Sequence, residues 1–181
     1  MLKEEITQLA KHIHQTVINN RRHLHAHPEL SFKEYNTSAF VKARLDEMGI
    51  PWNTIANTGV VAIVKGALPS DKVIALRADM DALPVTESNQ VDYASQHEGV
   101  MHACGHDVHT SSLLGTARIL QELRHEFEGT VKLLFQPGEE LLPGGASLMI
   151  KEGVLNYPKK VEGILGQHVA TLLPVGTVGF R

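Results

Sequence analysis

The stretch TVKLLFQ, residues 130–136, is an apolar run that leads directly into the polar group QPGEE, residues 136–140. An apolar run that does not alternate with polar residues is typical of a strand buried on both faces of a sheet. Two further strand-forming runs flank it along the chain, KVIALRAD at 72–79 and VEGILGQHV at 161–169. We therefore predict three strands here, and we expect those at 130–136 and 161–169 to be buried.

Helical patterns lie between these three strands. DVHTSSLLGTARILQEL at 107–123 predicts one helix, and GASLMIKEG at 145–153 predicts another. The residues of the first helix that should face inward are Leu113, Ala117, Leu120 and Leu123. The alternation of strand and helix indicates an α/β fold, a mostly parallel mixed sheet flanked by helices.

The chain ahead of this unit is predicted to add a helix and two strands. Apolar residues at three- and four-residue steps from Ile6 onward form the stripe of an amphipathic helix. WNTIA at 52–56 and GVVAIVKG at 59–66 are rich in strand-forming residues, and the turn signal NTG separates them. A second turn signal, LPSD at 68–71, should separate them from the strand that follows.

A further helix is predicted to begin at SFKE, residues 31–34. In a capping box, a serine and a glutamate three residues later satisfy the free amides of the first helical turn. Ser31 and Glu34 have this spacing, so we expect them to open a helix that runs to about Met48 and ends at Gly49.

The composition is that of a globular chain without an evident charged partner. Of 181 residues, 43% are hydrophobic and 20% are charged, and the net charge is −3. Such a chain is long enough for one domain, and its charge gives no reason to expect nucleic acid or a membrane surface. The single cysteine forms no internal disulfide, and the charged N-terminus is unlike a signal peptide, so we expect a cytoplasmic protein.

Polar clusters stand at the ends of the three strands. RADMD at 77–81, QPGEE at 136–140 and QHV at 167–169 each follow an apolar run. Open α/β sheets bind ligands in the crevice beyond the carboxyl ends of their strands. The three clusters are therefore expected to converge on one site.

Cys104 and His106 are candidate metal ligands. On an extended segment, residues two apart point to the same side and can reach one ion. Asp107 would begin the following helix, as its cap or as an acceptor for a ligating imidazole. Two alternatives stay open: Cys104 as a small buried thiol, and Cys104 as a nucleophile, although the spacing suits shared ligation better than attack.

Glu139 and Glu140 are candidates for two different tasks. Adjacent residues of an extended chain point in opposite directions, so one carboxylate can bind a metal while the other acts as general base. The alternative is a solvated acidic loop, which the preceding apolar strand disfavours.

The remaining polar residues permit more than one interpretation. His168 follows an apolar strand, where a histidine is more often structural than a ligand. Asp79 and Asp81 share one side of the chain and are able to bridge metals, orient a ligand or pair with Arg77. For the histidines of HLHAH, residues 23–27, a structural or surface role is favoured.

Five ordered motifs together resemble the M20 metallopeptidases. They are RRHLHAHPELSFKE (21–34), ALRADMDALPV (75–85), MHACGHDVHT (101–110), LFQPGEE (134–140) and GQHV with PVGTV (166–178). More narrowly, the chain is similar to the branch that contains N-acyl-amino-acid amidohydrolases, hippurate hydrolases and auxin-conjugate hydrolases. The resemblance runs from Arg21 to Gly179 and implies the catalytic-domain fold of dimetal exopeptidases.

The resemblance also implies a cofactor and roles for individual residues. The metal ligands of the family correspond to Cys104, His106, Glu140 and His168. Glu139 corresponds to the general base, and Asp81 to the aspartate that orients the site. The role of Asp79 is in doubt, because distant members carry a ligand histidine there. Two divalent ions are implied, zinc or manganese with cobalt as a further option, and a small N-acyl amino acid as substrate.

Family members run to roughly twice this length. Residues 1–181 then correspond to the N-terminal part of the catalytic domain, without the dimerisation domain, the rest of the catalytic domain and the last ligand histidine. The expected activity, cleavage of an N-acyl amino acid into a carboxylic acid and a free amino acid, would belong to the full-length form, which is expected to be a homo-oligomer. The 181 residues alone are expected to bind metal weakly, to have little or no activity and to self-associate.

Two other classes of function remain open. One is a truncated, inactive chain that binds metal or a partner protein. The other is a small-molecule binding module whose polar clusters work without metal. The latter is disfavoured, because Glu139 and Glu140 side by side would repel each other without a cation.

Overall fold

Five strands form one mixed sheet in the computed structural model, which describes residues 1–180. The strands are β1 (Trp52–Ile55), β2 (Gly59–Lys65), β3 (Leu68–Asp79), β4 (Glu128–Gln136) and β5 (Gly163–Gly166). Their spatial order is β1-β2-β4-β3-β5. The pairs β3–β4 and β3–β5 are parallel, whereas β1–β2 and β2–β4 are antiparallel. The predicted α/β class is confirmed, with the parallel pairs confined to the half that contains β3.

Helices cover both faces of this sheet. They are α1 (Leu2–Ala26), α2 (Tyr35–Glu47), α3 (His106–Glu122) and α4 (Gly145–Lys151). Successive side chains of β4 point to opposite faces: Leu133 and Phe135 pack with α2 and α3, while Leu134 packs with α4. The prediction that this strand is buried on both faces is confirmed.

Helix α3 packs between the sheet and α1. Its predicted inward-facing residues are indeed buried or partly buried: Leu113, Ala117, Leu120 and Leu123. A Cβ atom added at Gly115 would lie 2.7 Å from Val17 Cγ2 of α1. The small residue therefore allows the two helices to approach closely.

Lys132 lies inside the apolar β4 run and is fully buried. Its Nζ donates hydrogen bonds to the carbonyl oxygens of Val154 (2.8 Å), Tyr157 (2.7 Å) and Lys159 (3.1 Å). Burial lowers the pKa of this ammonium group. The three carbonyls satisfy its donors, so the lysine anchors the connection from α4 to β5.

The predicted capping box is wrong. Helix α2 begins at Tyr35, and neither Ser31 nor Glu34 caps it with its side chain. Ser31 Oγ instead donates a hydrogen bond to Asp81 Oδ2, 50 residues away in sequence, at 2.6 Å. Ser31 therefore binds a residue that is distant in sequence and does not cap the helix that follows it.

Glu29 caps helix α2, a role that the sequence pattern assigned to Ser31 and Glu34. Its carboxylate accepts the backbone N–H groups of Asn36 (3.1 Å) and Thr37 (2.8 Å), as well as both of their side chains. Free amides of the first turn of α2 are therefore satisfied by a side chain from before the helix.

Two strand predictions also need correction. LPSD does not separate strands, because β3 already begins at Leu68, with a shift of register before Val73. The run VEGILGQHV forms only the short β5, and this strand is not buried: Ile164 is 53% exposed and Leu165 is 65% exposed. The reason is that β5 lies at the edge of the sheet, where no described helix covers it.

Within residues 1–180, no helix combines the length and the apolar character needed to cross a membrane.

Candidate metal centre

The three polar clusters follow strands that are neighbours in the sheet. β4, β3 and β5 lie side by side and run parallel, so their carboxyl ends meet at one edge. Helix α3 begins at the same edge and brings His106 between the clusters. The predicted convergence is confirmed.

His106 is the residue around which the site is arranged, and it is buried. Its Nδ1 lies 2.8 Å from the Asp81 carbonyl oxygen and 3.2 Å from Asp81 Oδ1. Both of these atoms only accept hydrogen bonds, so Nδ1 carries a proton, and Nε2 is the nitrogen whose lone pair is available to a metal ion. This buried Nε2 has no hydrogen-bond partner among the described residues, and a lone pair of this kind suits a metal ion.

Three carboxylates surround that lone pair. Glu140 Oε1 and Asp79 Oδ1 each lie 3.7 Å from His106 Nε2, and Glu139 Oε2 lies 4.0 Å away. The expectation that the two glutamates point in opposite directions is wrong, because both approach the same imidazole. They follow β4 in a loop rather than on extended chain. Their side chains are 39% (Glu139) and 26% (Glu140) exposed, so neither is simply solvated.

Cys104 and His168 also meet close to His106. Cys104 Sγ lies 3.6 Å from His168 Nε2, and potential ligand atoms of Cys104, His106 and His168 lie within 4.8 Å of one another. His168 Nδ1 is 2.6 Å from the Val169 carbonyl oxygen. Because that oxygen accepts, Nδ1 is the protonated nitrogen, and the lone pair of Nε2 faces the thiol.

The reason why Cys104 and His106 come together differs from the expected one. The segment is not extended: Gly105 between them has φ +88°, in the left-handed region. A Cβ atom at Gly105 would also lie 2.3 Å from Val169 Cγ2. Glycine is thus required at this position both for the turn and for the close approach of the chain after β5.

Asp81 connects three parts of the site. Its Oδ1 faces His106 Nδ1, and its Oδ2 accepts the Ser31 hydroxyl and, at 3.0 Å, the Glu140 N–H. Burial by itself would raise the pKa of Asp81, but these hydrogen bonds outweigh it and lower the pKa to about 2. Asp81 is therefore a carboxylate that holds a histidine and a glutamate in place.

Both carboxylate oxygens of Asp79 lie close to protein partners. Its Oδ1 accepts a hydrogen bond from His109 Nδ1 at 2.6 Å, and its Oδ2 pairs with Arg77 at 2.8 Å. Of the roles considered for Asp79, pairing with Arg77 is thus observed. Potential ligand atoms of Asp79, His106 and His109 also lie within 4.8 Å of one another.

His109 is a residue to which the sequence assigned no role. It donates from Nδ1 to Asp79, and its Nε2 accepts the Val169 N–H at 3.0 Å. It thereby ties α3 and β3 to the segment that carries His168. The spacing of His106 and His109, three residues apart on one helix, was the available signal.

Asp107 does not have the predicted role. Its carboxylate neither caps α3 nor receives a ligating imidazole. Instead Asp107 Oδ2 accepts from His25 Nδ1 (2.7 Å) and pairs with Arg21 Nε (2.8 Å), while His25 Nε2 faces Glu87 Oε1 (3.0 Å). His25 therefore ties the end of α1 to the start of α3, in line with the structural role expected for HLHAH.

The donor set fits a divalent metal ion. Burial raises the pKa of Cys104, and hydrogen bonding and repulsion from Glu140 raise it further, to about 11. A thiol with this pKa is a poor nucleophile, which argues against cysteine catalysis. A nearby divalent cation reverses the effect and makes the thiolate a ligand. Together with the unpartnered His106 Nε2 and the carboxylates, this sulfur, nitrogen and oxygen set suits a zinc-like ion.

Comparisons with known proteins identify similar sequences. Peptidase family M20/M25/M40 matches residues 75–181. The N-acyl-L-amino acid amidohydrolase of Geobacillus stearothermophilus is 47% identical over 180 residues, which cover 99% of this chain and 48% of that protein. The N-acetylcysteine deacetylase of Bacillus subtilis is 46% identical over 173 residues, covering 94% of this chain and 44% of that protein.

A solved structure gives the same result for the fold. The Bacillus subtilis YXEP protein, a dinuclear metal-binding peptidase of the M20 family, superposes with a TM-score of 0.88 at 46% identity. The match covers 94% of this chain and 47% of that one. The chain thus spans about half the length of the relatives that it matches.

Proposed function

The chain belongs to peptidase family M20/M25/M40, as its motifs predicted, and on this basis we propose that it is part of a metal-dependent amidohydrolase. The proposed substrates are N-acyl amino acids, and the products are a carboxylic acid and a free amino acid. The observation that carries the proposal is the buried Nε2 of His106, which has no hydrogen-bond partner among the described residues. Potential ligand atoms of Glu139 and Glu140, and of Cys104 and His168, lie close to His106.

Cys104, His106, Glu140 and His168 are the residues proposed to hold metal. His106 is common to the two groups of ligand atoms that together contain all four. We propose two ions per complete site, zinc or manganese, with cobalt as a further option. A divalent ion bound there supplies Lewis acidity, which polarises an amide carbonyl and lowers the pKa of a water molecule.

Glu139 is proposed as the general base. Its Oε2 stands 4.0 Å from His106 Nε2, and its side chain is the more exposed of the glutamate pair. Because it is partly exposed, the Glu139 carboxylate is able to reach a substrate in the crevice. It would take a proton from the attacking water and then deliver it to the nitrogen of the leaving amine.

Asp81 and Asp79 are proposed to position ligands rather than to bind metal. Asp81 holds the Nδ1–H of His106 and the backbone N–H of Glu140, which fixes two ligands at once. Asp79 holds His109, which in turn binds the backbone beside His168. Carboxylates behind ligating histidines orient the ring and fix its tautomer.

The chain is further proposed to be the N-terminal part of a catalytic domain. Its relatives are about twice as long, and the remaining ligand of the family site would lie in the part that this chain does not span. We also propose that the full-length form is a homo-oligomer. The same half-length coverage favours a second candidate, in which a chain limited to these residues binds metal or a partner without turnover.

The proposal is tested by hydrolysis of N-acetyl and N-benzoyl amino acids. The complete natural protein would be assayed before chelation, after chelation and after reloading with zinc or manganese. We expect release of the free amino acid that chelation abolishes and metal restores. Metal-independent turnover, or none in any metal-loaded form, would exclude the proposed function. Turnover by the complete protein but not by residues 1–181 would assign the second candidate to the shorter chain.

A further inference from the structure

Glu34 is a fully buried carboxylate at the edge of the site. Its Oε1 accepts the backbone N–H groups of Phe32 (2.8 Å) and Gly138 (2.7 Å), and its Oε2 accepts the Thr58 hydroxyl (2.6 Å). These three partners are neutral. None of the residues 1–180 supplies a cationic partner to this carboxylate. A buried carboxylate without such a partner is costly, and burial raises the pKa of Glu34.

The side chain does not serve the helix that it precedes. Although Glu34 stands at the N-cap position of α2, it makes no side-chain cap, and the carboxylate of Glu29 accepts the free amides there. The capping motif in the sequence therefore leaves the role of this acid unexplained.

The contact between Phe32 and Gly138 is unusually close. Both residues lie in the left-handed region, with φ +62° for Phe32 and +51° for Gly138. A Cβ atom at Gly138 would lie 2.4 Å from the ring of Phe32. A phenylalanine in this conformation is strained and persists only where its surroundings impose it. Here the same oxygen of Glu34 accepts the N–H groups of both residues.

Gly138 directly precedes the two glutamates of the site. On its far side, the N–H of Glu140 is held by Asp81. The backbone of Glu139 thus lies between two amides that are each fixed by a buried carboxylate, one from Glu34 and one from Asp81. The direction in which the Glu139 side chain leaves the backbone follows from these two anchors.

We propose that Glu34 is a positioning residue for Glu139, acting through its hydrogen bond to the Gly138 amide. This inference rests on the proposed function, in which Glu139 is the general base. Glu34 touches neither substrate nor metal ligand and contributes by geometry. A displacement of the base by about an ångström is enough to cost about two orders of magnitude in rate.

Two conservative variants separate geometry from charge. Glu34→Gln removes the charge, but its amide oxygen is able to accept both N–H groups while its NH₂ donates to the Thr58 hydroxyl. Glu34→Asp keeps the charge, but its side chain is one methylene shorter, so the carboxylate moves away from the Gly138 N–H. Thr58→Val is the matched control, because it removes the third hydrogen bond and leaves the one to Gly138 intact.

Three quantities are measured on the complete natural protein: kcat and KM, bound metal by elemental analysis, and deuterium uptake of the peptide containing residues 138–140. We expect Glu34→Asp to lower kcat about tenfold or more, with KM and metal content unchanged and faster uptake at 138–140. Glu34→Gln and Thr58→Val should keep kcat within about threefold of wild type and keep the slow uptake.

The opposite pattern overturns the inference. If Glu34→Asp keeps kcat while Glu34→Gln loses it, the charge matters and not the hydrogen bond to Gly138. Faster uptake without loss of kcat likewise refutes positioning. Should Glu34→Asp fail to fold, Phe32→Ala is used in its place, because it removes the ring that packs against Gly138. We expect Phe32→Ala to lower kcat and to speed up deuterium uptake at 138–140, as expected for Glu34→Asp. If wild type shows no metal-dependent hydrolysis, the proposed function fails, whereas the uptake data still report on the Glu34–Gly138 bond.

Discussion

His109 lies between Asp79 and the chain that follows β5, donating to Asp79 Oδ1 at 2.6 Å and accepting the Val169 N–H at 3.0 Å. The residue next to Val169 is His168, a proposed metal ligand, whose ring is in edge contact with that of His109. Asp79, the last residue of β3, therefore positions the proposed ligand His168, which follows β5, by way of His109. Through this relationship Asp79 is proposed to contribute to the site without binding metal itself.

Replacing His109 with alanine should weaken metal binding. Loss of its two hydrogen bonds frees the backbone at Val169 and leaves Asp79 Oδ1 without its donor. Residues that orient metal ligands typically contribute about 10- to 100-fold in affinity, and we expect an increase of this size in the zinc Kd, measured by competition with a chelator. His14→Ala, an exposed histidine on α1, is the control. Equal affinity in both variants would show that His109 does not orient His168.

Replacing Glu139 with glutamine should abolish turnover but not metal binding. The amide is close in shape to the carboxylate and cannot take the proton from water, and a general base contributes about 10²- to 10⁴-fold to the rate. The expected result is a loss of kcat in this range at unchanged metal content. Glu98→Gln, on an exposed loop, should retain full activity. A Glu139→Gln enzyme with undiminished kcat would remove Glu139 from the base role.

His25 should make the stability of the metal-free chain depend on pH. The hydrogen bond to Asp107 raises its pKa, and the contact with Glu87 adds to this effect, which together exceed the effect of burial. A group whose pKa is raised on folding stabilises the fold below its unfolded pKa, about 6.5, and loses this contribution as the pH rises through the folded value. Wild type should therefore lose more stability than His25→Gln as the pH rises from about 6.5 through the folded pKa of His25.

Urea unfolding of both proteins across that range measures the difference. The two curves of unfolding free energy against pH should converge at the alkaline end. Parallel curves would mean that His25 binds the same number of protons in the folded and unfolded states.

Replacing Lys132 with methionine should destabilise the fold without affecting the site chemistry. The carbonyl groups of Val154, Tyr157 and Lys159 lose the donor that satisfies them, and the first of these bonds is buried. The expected loss is about 2–4 kcal/mol. Lys72→Met is the control, because that lysine lies on β3 with its side chain 70% exposed. If both variants unfold at the same urea concentration, the buried ammonium does not hold the α4–β5 connection.

The features that local sequence patterns could predict are those that depend on near neighbours. The run at 130–136 does not alternate strictly between apolar and polar residues, and both faces of the strand are buried, as that pattern predicts. QPGEE and QHV lie at the site because polar residues end the strands there, and parallel neighbouring strands bring such ends together. The metal-ligand candidates also came from the family motifs rather than from spacing alone.

What the sequence missed depends on contacts between distant segments. Ser31 looked like a helix cap, yet its hydroxyl binds Asp81, 50 residues further on. The β5 run looked like a core strand, but burial depends on what lies beside an edge, which its own residues do not encode. The position of His109 between Asp79 and Val169 joins three segments that no periodic pattern links.

The most direct test of the proposed metal site is the metal content of the complete natural protein, measured by elemental analysis beside Cys104→Ala and the control His14→Ala. The protein would be purified without chelator and then equilibrated with zinc or manganese. We predict bound metal in wild type and in His14→Ala that is lost in Cys104→Ala. Metal retained by Cys104→Ala, or absent from all three proteins, would contradict the claim that Cys104, His106, Glu140 and His168 form a metal site.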